Sequence, residues 1–194
     1  MAQDTYTGFE ELAKHEKADT DYQIIISDVG SAVTIIAPHG GRIEPSTAEI
    51  ARRIASRDYN CYCFRGIKTS NNSRLHITSH KFDEPAALEI LSKSDIVITI
   101  HACTGTAGLV CLGGLNTPLK KSIATELQDR GIDVSLKDSR FKGANPDNIC
   151  NRGRTGKGVQ LEITRDLRDD PAKKEIIAEA VRASLKLAAE PTNA

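Results

Sequence analysis

No charge imbalance marks this chain: 26 lysines and arginines face 26 aspartates and glutamates. A global field therefore recommends neither a nucleic acid nor a membrane surface as partner, and a polyanion could be held only by a local basic patch. No apolar run approaches the roughly 20 residues that a membrane span needs. The first twenty residues, MAQDTYTGFEELAKHEKADT, also lack the basic start and apolar block of a secretory signal. The expectation is a cytoplasmic protein as synthesised, with no signal peptide and with lysis as a route of release. The five cysteines are an odd number with no CxxC pair, and Cys61, Cys63 and Cys111 lie in or beside apolar runs, which predicts reduced thiols. Neither an internal repeat nor a low-complexity segment is visible, which excludes a solenoid and a disordered tail.

At 194 residues the chain can bury one sizeable core. A single domain over 1–194 is expected, with a short helical segment inside 1–20. Residues 9–17 have amphipathic helical spacing, and Tyr22–Ser27 is rich in the β-branched residues of a strand. Val33–Ala37 is a continuous apolar run ending in Pro38-His39-Gly40-Gly41, and helical spacing follows from 46 to 57. Cys61–Phe64 and Arg74–Thr78 read as strands and Pro85–Ser92 as a helix. Asp95–Ile100 is a second buried-type strand that also ends on a histidine, His101, before a small-residue stretch with Gly105 and Gly108. Leu119–Asp129 predicts a helix stopped by Gly131, Ile132–Leu136 and Gly158–Ile163 predict strands, and Pro171–Ala189 predicts a long closing helix. Strands that are apolar throughout and alternate with helices are covered on both faces. The fold class expected is therefore α/β, a three-layer α/β/α sandwich around a mixed, largely parallel sheet, with ligands gathering at the carboxyl ends of the strands.

Two histidines at the ends of two such strands, and a carboxylate five positions after the first in His39-Gly40-Gly41-Arg42-Ile43-Glu44, would meet if the strands pack in parallel. Two imidazoles and one carboxylate form a ligand set that leaves zinc a fourth, open position. Gly40 and Gly41 allow the sharp turn this needs. The competing reading of a strand-end histidine is a hydrogen-bonded structural residue. In Gly158-Val159-Gln160-Leu161-Glu162-Ile163, Glu162 is a charge inside an apolar strand, which is costly unless it is paired or serves as a base beside an activated water.

Several segments together carry a resemblance: Ala37–Glu44, Asn72–Ser79, Phe82-Asp83-Glu84-Pro85, Gly113-Gly114-Leu115-Asn116, Asn145–Arg152 and Gly156–Glu162. In wording and order the chain resembles the phage-related poly-γ-glutamate hydrolase family over most of its length. The resemblance implies a compact zinc-carboxypeptidase-like fold, one Zn²⁺ per chain on His39, Glu44 and His101, and Glu162 as general base. It also implies cleavage of γ-glutamyl amide bonds in poly-γ-glutamate or another γ-glutamyl substrate. Four residues separate His39 from Glu44, where the wider carboxypeptidases carry His-x-x-Glu, and the chain is shorter than theirs, which leaves endo or exo cleavage open.

The substrate's α-carboxylates point to arginine. Arg74 and Arg152, inside the motif segments, come first, with His76 beside them and Arg154 and Lys157 after. Gly153–Gly158 superficially matches a phosphate-binding loop but has Asn151 where the first glycine belongs and Gly158 where Ser or Thr belongs. Cys103 reads as a small buried thiol. The alternatives are a zinc deacylase of small N-acylated amino acids and a non-catalytic metal-binding interaction module. A monomer without nucleic-acid or membrane partners is expected.

Overall fold

A computed structural model describes residues 4–105 and 107–189. Among these residues seven strands form one sheet in the order β1-β3-β2-β4-β7-β5-β6. They are β1 (Tyr22–Ser27), β2 (Val33–Gly41), β3 (Asn60–Gly66), β4 (Ile96–Ala102), β5 (Leu109–Gly113), β6 (Asp133–Ser135) and β7 (Val159–Ile163). β1 runs antiparallel to β3 and β5 antiparallel to β7, while every other neighbouring pair is parallel. The sheet is thus mixed and largely parallel.

Alternation along the strands divides two layers. Ile35, Ile98, Ile100, Leu161 and Ile163 face one side, packed against α2 (Thr47–Ala55), α4 (Thr117–Asp129) and α6 (Pro171–Ala189) through Ile50, Ile54, Leu119, Ile123, Ile177 and Val181. Ile36, Tyr62, Phe64 and Val97 face the other, under α1 (Phe9–His15), α3 (Pro85–Ser92) and coil carrying Leu75, Ile77 and Phe82. Each fully buried aliphatic or aromatic side chain stabilises the fold by about 1.5–3 kcal/mol. Helix starts follow local chemistry. Glu84 accepts from the Ala86 and Ala87 amides ahead of Pro85, and Asn116 accepts from the Leu119 amide with Pro118 in the first turn.

Three expectations need correction. Arg74–Thr78 is not a strand: Asn72–Leu75 is a 3₁₀ turn entered through Asn71 in the left-handed region, and Asn72 bonds both the amide and the carbonyl of Lys68. Leu75 and Ile77 are both buried, so the alternation is real, but it reflects packing rather than a ladder. The Ile77 carbonyl and Thr78 amide bond the side chains of His39 and Asp4 instead of another strand. Strand β5 follows the small-residue stretch in a segment for which no element is expected, and the short helix α5 (Arg165–Asp169) follows β7 unannounced. Both histidines lie within their strands, not beyond them, because β2 continues to Gly41 and β4 to Ala102.

Candidate active site

Alternation alone would put His39 on the wrong side of the sheet. Ala37 belongs to the layer of α2, α4 and α6, and a residue two positions on would share that face. Between Ala37 and Gly40 the register against β3 slips: Ala37 pairs with Cys63 and Gly40 with Arg65, so Pro38 and His39 together oppose Phe64. This bulge turns His39 to the opposite face, where its ring meets Phe82 edge-on at 6.2 Å and lies over His76 at 4.1 Å. Pro38 suits a bulge because it has no amide to pair. Gly41 then takes φ 66°, and a Cβ there would overlap the Gly66 carbonyl. The turn brings Glu44 back, its amide donating to the His39 carbonyl at 2.8 Å.

His101, near the end of β4, needs no such device. Thr99 and His101 alternate with the core residues Ile98 and Ile100, and His101 lies directly opposite Glu162 of β7. Three donor groups converge here. His39 Nδ1 is 3.1 Å from Glu44 Oε1 and 3.2 Å from His101 Nδ1, and Glu44 Oε2 is 3.6 Å from His101 Nδ1. All three residues offer ligand atoms within 4.8 Å of one another. The Ile77 carbonyl, 2.8 Å from His39 Nε2, can only accept, so Nε2 carries a proton and a neutral ring points its Nδ1 lone pair at the carboxylate. A group of this kind could hold a metal ion. The distances from His39 Nδ1 to Glu44 Oε1 and to His101 Nδ1 lie near the edge of about 3.3 Å in a tetrahedron with zinc–nitrogen bonds of 2.0–2.1 Å. Burial alone would raise the Glu44 pKa, but the imidazoles of His39 and His101, by their charge when protonated and by hydrogen bonding, hold the carboxyl far below its ordinary range. Glu44 Oε2 also accepts from the Ala102 amide at 2.9 Å, which locks the loop to β4.

Glu162 shares the face of His101 and is only 9% exposed. Burial, opposed by His101 and reinforced by Glu44, pushes its carboxyl up to about 7. Arg168 of α5 is missed from sequence, six residues past Glu162 in a segment without a motif. Its Nε donates to the Ile163 carbonyl at 2.9 Å and its Nη1 to the Pro45 carbonyl at 2.5 Å. Ile163 follows Glu162 and Pro45 follows Glu44, so one guanidinium ties together the backbone behind both carboxylates. Cys103 is buried nearby, and burial and the Glu162 charge push its thiol up to about 11, far from a nucleophile.

Among the substrate candidates, only His76 lies against the cluster, stacked on His39 with Nδ1 2.9 Å from Asp4 Oδ1. Arg74 bonds the Tyr6 hydroxyl at 3.0 Å and pairs with Glu16 at 3.5 Å, while Arg152 reaches the Phe82 carbonyl at 3.3 Å. Arg154 is held by Asp95, and Lys157 is exposed. The remaining motif segments form a clasp behind β7. Asn151 accepts from the Leu115 and Gly158 amides and Asn148 donates to Gln160, while a Cβ at Gly158 would overlap the Cys150 carbonyl. The glycines of the apparent phosphate loop thus include one that serves close backbone packing.

A mixed α/β sandwich thus brings two histidines and a glutamate together at the carboxyl edge of its sheet as a group that could hold a metal ion, with a second glutamate one strand away. The chain belongs to the poly-gamma-glutamate hydrolase family, whose model matches residues 6–184. It is 42% identical over 170 residues to the SPbeta prophage-derived UPF0714 protein YoqZ of Bacillus subtilis (strain 168), a match covering 87% of this chain and 61% of that protein. The chain therefore spans less than two thirds of that relative's length. A bacteriophage poly-gamma-glutamate hydrolase structure superposes with a TM-score of 0.90 at 34% identity, covering 96% of this chain and 98% of the other. Zinc-free YndL gives a TM-score of 0.90 at 31% identity, covering 97% and 100%.

Proposed function

We propose that the chain is a zinc-dependent amide hydrolase that cleaves the γ-glutamyl bonds of poly-γ-glutamate, with one Zn²⁺ held by His39, Glu44 and His101. The observation that carries this reading is the convergence of three lone-pair donors whose spacing fits one tetrahedral ion, in a chain of this family. Zinc bound there supplies Lewis acidity to the scissile carbonyl and to the attacking water. Glu162, beside His101 on the neighbouring strand, takes the water's proton on its carboxylate and returns it to the departing nitrogen. The His39 Nε2–H bond to Ile77 and the Ala102 amide on Glu44 keep the ligands oriented. Arg168 holds the segments behind Glu44 and Glu162 at fixed separation.

The α-carboxylates of the polymer are assigned to Arg152 and Arg74, with His76 lining the approach to His39. What supports this is their position in the motif segments and the carboxylate borne by every repeat of the substrate. The test is incubation of zinc-loaded protein with poly-γ-glutamate and with a panel of N-acylated amino acids, reading chain length and released amine. Shortening of the polymer with an intact panel is the expected result. Release from the panel alone overturns the substrate, and no turnover of either overturns the hydrolase reading.

A further inference from the structure

Between β1, β3 and helix α2 lies a groove of about 870 Å³. Its floor is Ile25, Ala48, Ala55 and Cys61, and four arginines, Arg42, Arg52, Arg53 and Arg65, line it against one carboxylate, Glu49. They come from three elements: the loop between His39 and Glu44, helix α2, and strand β3. Arg53 is engaged by Glu49 and Glu175. Arg42 donates to the neutral Lys68 carbonyl, and Arg65 reaches only the Gln23 amide oxygen at 3.4 Å. Among the described residues no carboxylate is paired with Arg42, Arg52 or Arg65. In a chain of zero net charge this is a concentrated positive strip. Gly41 and Arg42, which lie between His39 and Glu44 in the chain, are among the lining residues.

We propose that this groove is a second polymer-binding site, which holds a flanking, non-reacting stretch of poly-γ-glutamate while another stretch of the same chain lies at Glu162. It rests on the function proposed above. The ligand chemistry follows from the lining. A γ-linked glutamate chain presents one α-carboxylate per residue to guanidinium groups and a run of methylenes to an apolar floor. Holding a remote segment raises the effective concentration of scissile bonds at the active site, so long polymer gains where short oligomers do not.

The test uses Arg52→Glu/Arg65→Glu, with the neutral Arg52→Gln/Arg65→Gln pair as the variant read if charge reversal prevents folding. Lys121→Glu/Lys186→Glu, on α4 and α6, makes the same change in net charge elsewhere. Binding of fluorescently labelled poly-γ-glutamate is measured by anisotropy in the Glu162→Gln background at several salt concentrations, alongside a double-stranded DNA oligomer. KM and kcat are measured in the parent background on long polymer and on a short γ-glutamyl oligomer. Expected are a loss of polymer affinity of about tenfold or more in the groove variant with most of its salt dependence gone, a raised KM on long polymer, and unchanged kcat/KM on the oligomer. Polymer binding like that of the parent, a loss no larger than in the α4/α6 control, or tighter binding of DNA than of polymer overturns the groove assignment. Absence of hydrolysis in the parent overturns the proposed function instead and leaves the binding measurement standing.

Discussion

His39 donates its Nε2–H to the carbonyl oxygen of Ile77 at 2.8 Å, so in the neutral ring the nitrogen that faces Glu44 and His101 is an unprotonated Nδ1. A backbone acceptor thereby chooses the tautomer that a cation requires. The first prediction follows. After dialysis the protein retains one zinc per chain, and His39→Ala, Glu44→Ala and His101→Ala each lose most of it, since three ligands leave little redundancy. Elemental analysis checks it, with circular dichroism establishing that the variants stay folded. Full zinc in all three variants rules the site out.

Glu162→Gln keeps the shape of the side chain and removes its basicity. A fall in kcat on the order of a hundredfold or more is expected, as general-base catalysis typically contributes, with zinc content and thermal midpoint close to the parent's. A kcat within a few-fold of the parent would falsify the assignment and leave Glu162 a buried sheet carboxylate.

Arg168 acts through the backbone and not through substrate. Arg168→Met is expected to weaken zinc binding about 10–100-fold, the usual scale for supports of metal ligands. Arg168→Lys, which can serve only one of the two carbonyls, should fall between. Competition against a chromophoric chelator reads this without reference to activity. Parent-like affinity in both variants would show that the Glu44 loop holds its place unaided.

Glu16 is 5% exposed and accepts from the Tyr6 hydroxyl at 2.7 Å and from Lys68 at 2.5 Å, with Arg74 beyond. Burial would raise its pKa, but those partners hold it below the ordinary range. A depressed carboxyl contributes stability that is complete above its unfolded value of about 4.3 and vanishes as pH falls through the lower folded value. Glu16→Gln should therefore lower the melting temperature at pH 7, with a gap to the parent that narrows toward pH 3. A gap that is constant with pH counts against this. The same variant loosens Arg74, so its KM on polymer separates an arginine that serves substrate from one that serves the fold.

Much of this arrangement is legible in the sequence because punctuation is local. Pro85 and Pro171 fix where α3 and α6 begin, and apolar runs without alternation give β2 and β4, neighbouring parallel strands that carry His39 and His101 near their ends, while the bulge that turns His39 to the shared face carries no such signal. What stays hidden depends on partners far along the chain. Leu75 and Ile77 alternate like a strand, but Asn72, His39 and Asp4 claim the backbone around them. Leu109–Gly113 is too short and too rich in small neighbours to stand out until β7 pairs with it. Arg168, Arg52, Arg53 and Arg65 lie in no motif segment, since each matters only through what folding sets beside it.

The bulge at Pro38–His39 makes the site a matter of parity. Substitutions near it change what a side chain is, whereas removal of a single residue between Ala37 and Gly40 would change which way His39 looks, sending an imidazole into the aliphatic layer beneath α2 and leaving Glu44 and His101 without their third member. The site therefore depends on the number of residues at this spot as well as on their identity: a gain or loss of one beside His39 would need a compensating slip elsewhere in β2 to return the imidazole to its face.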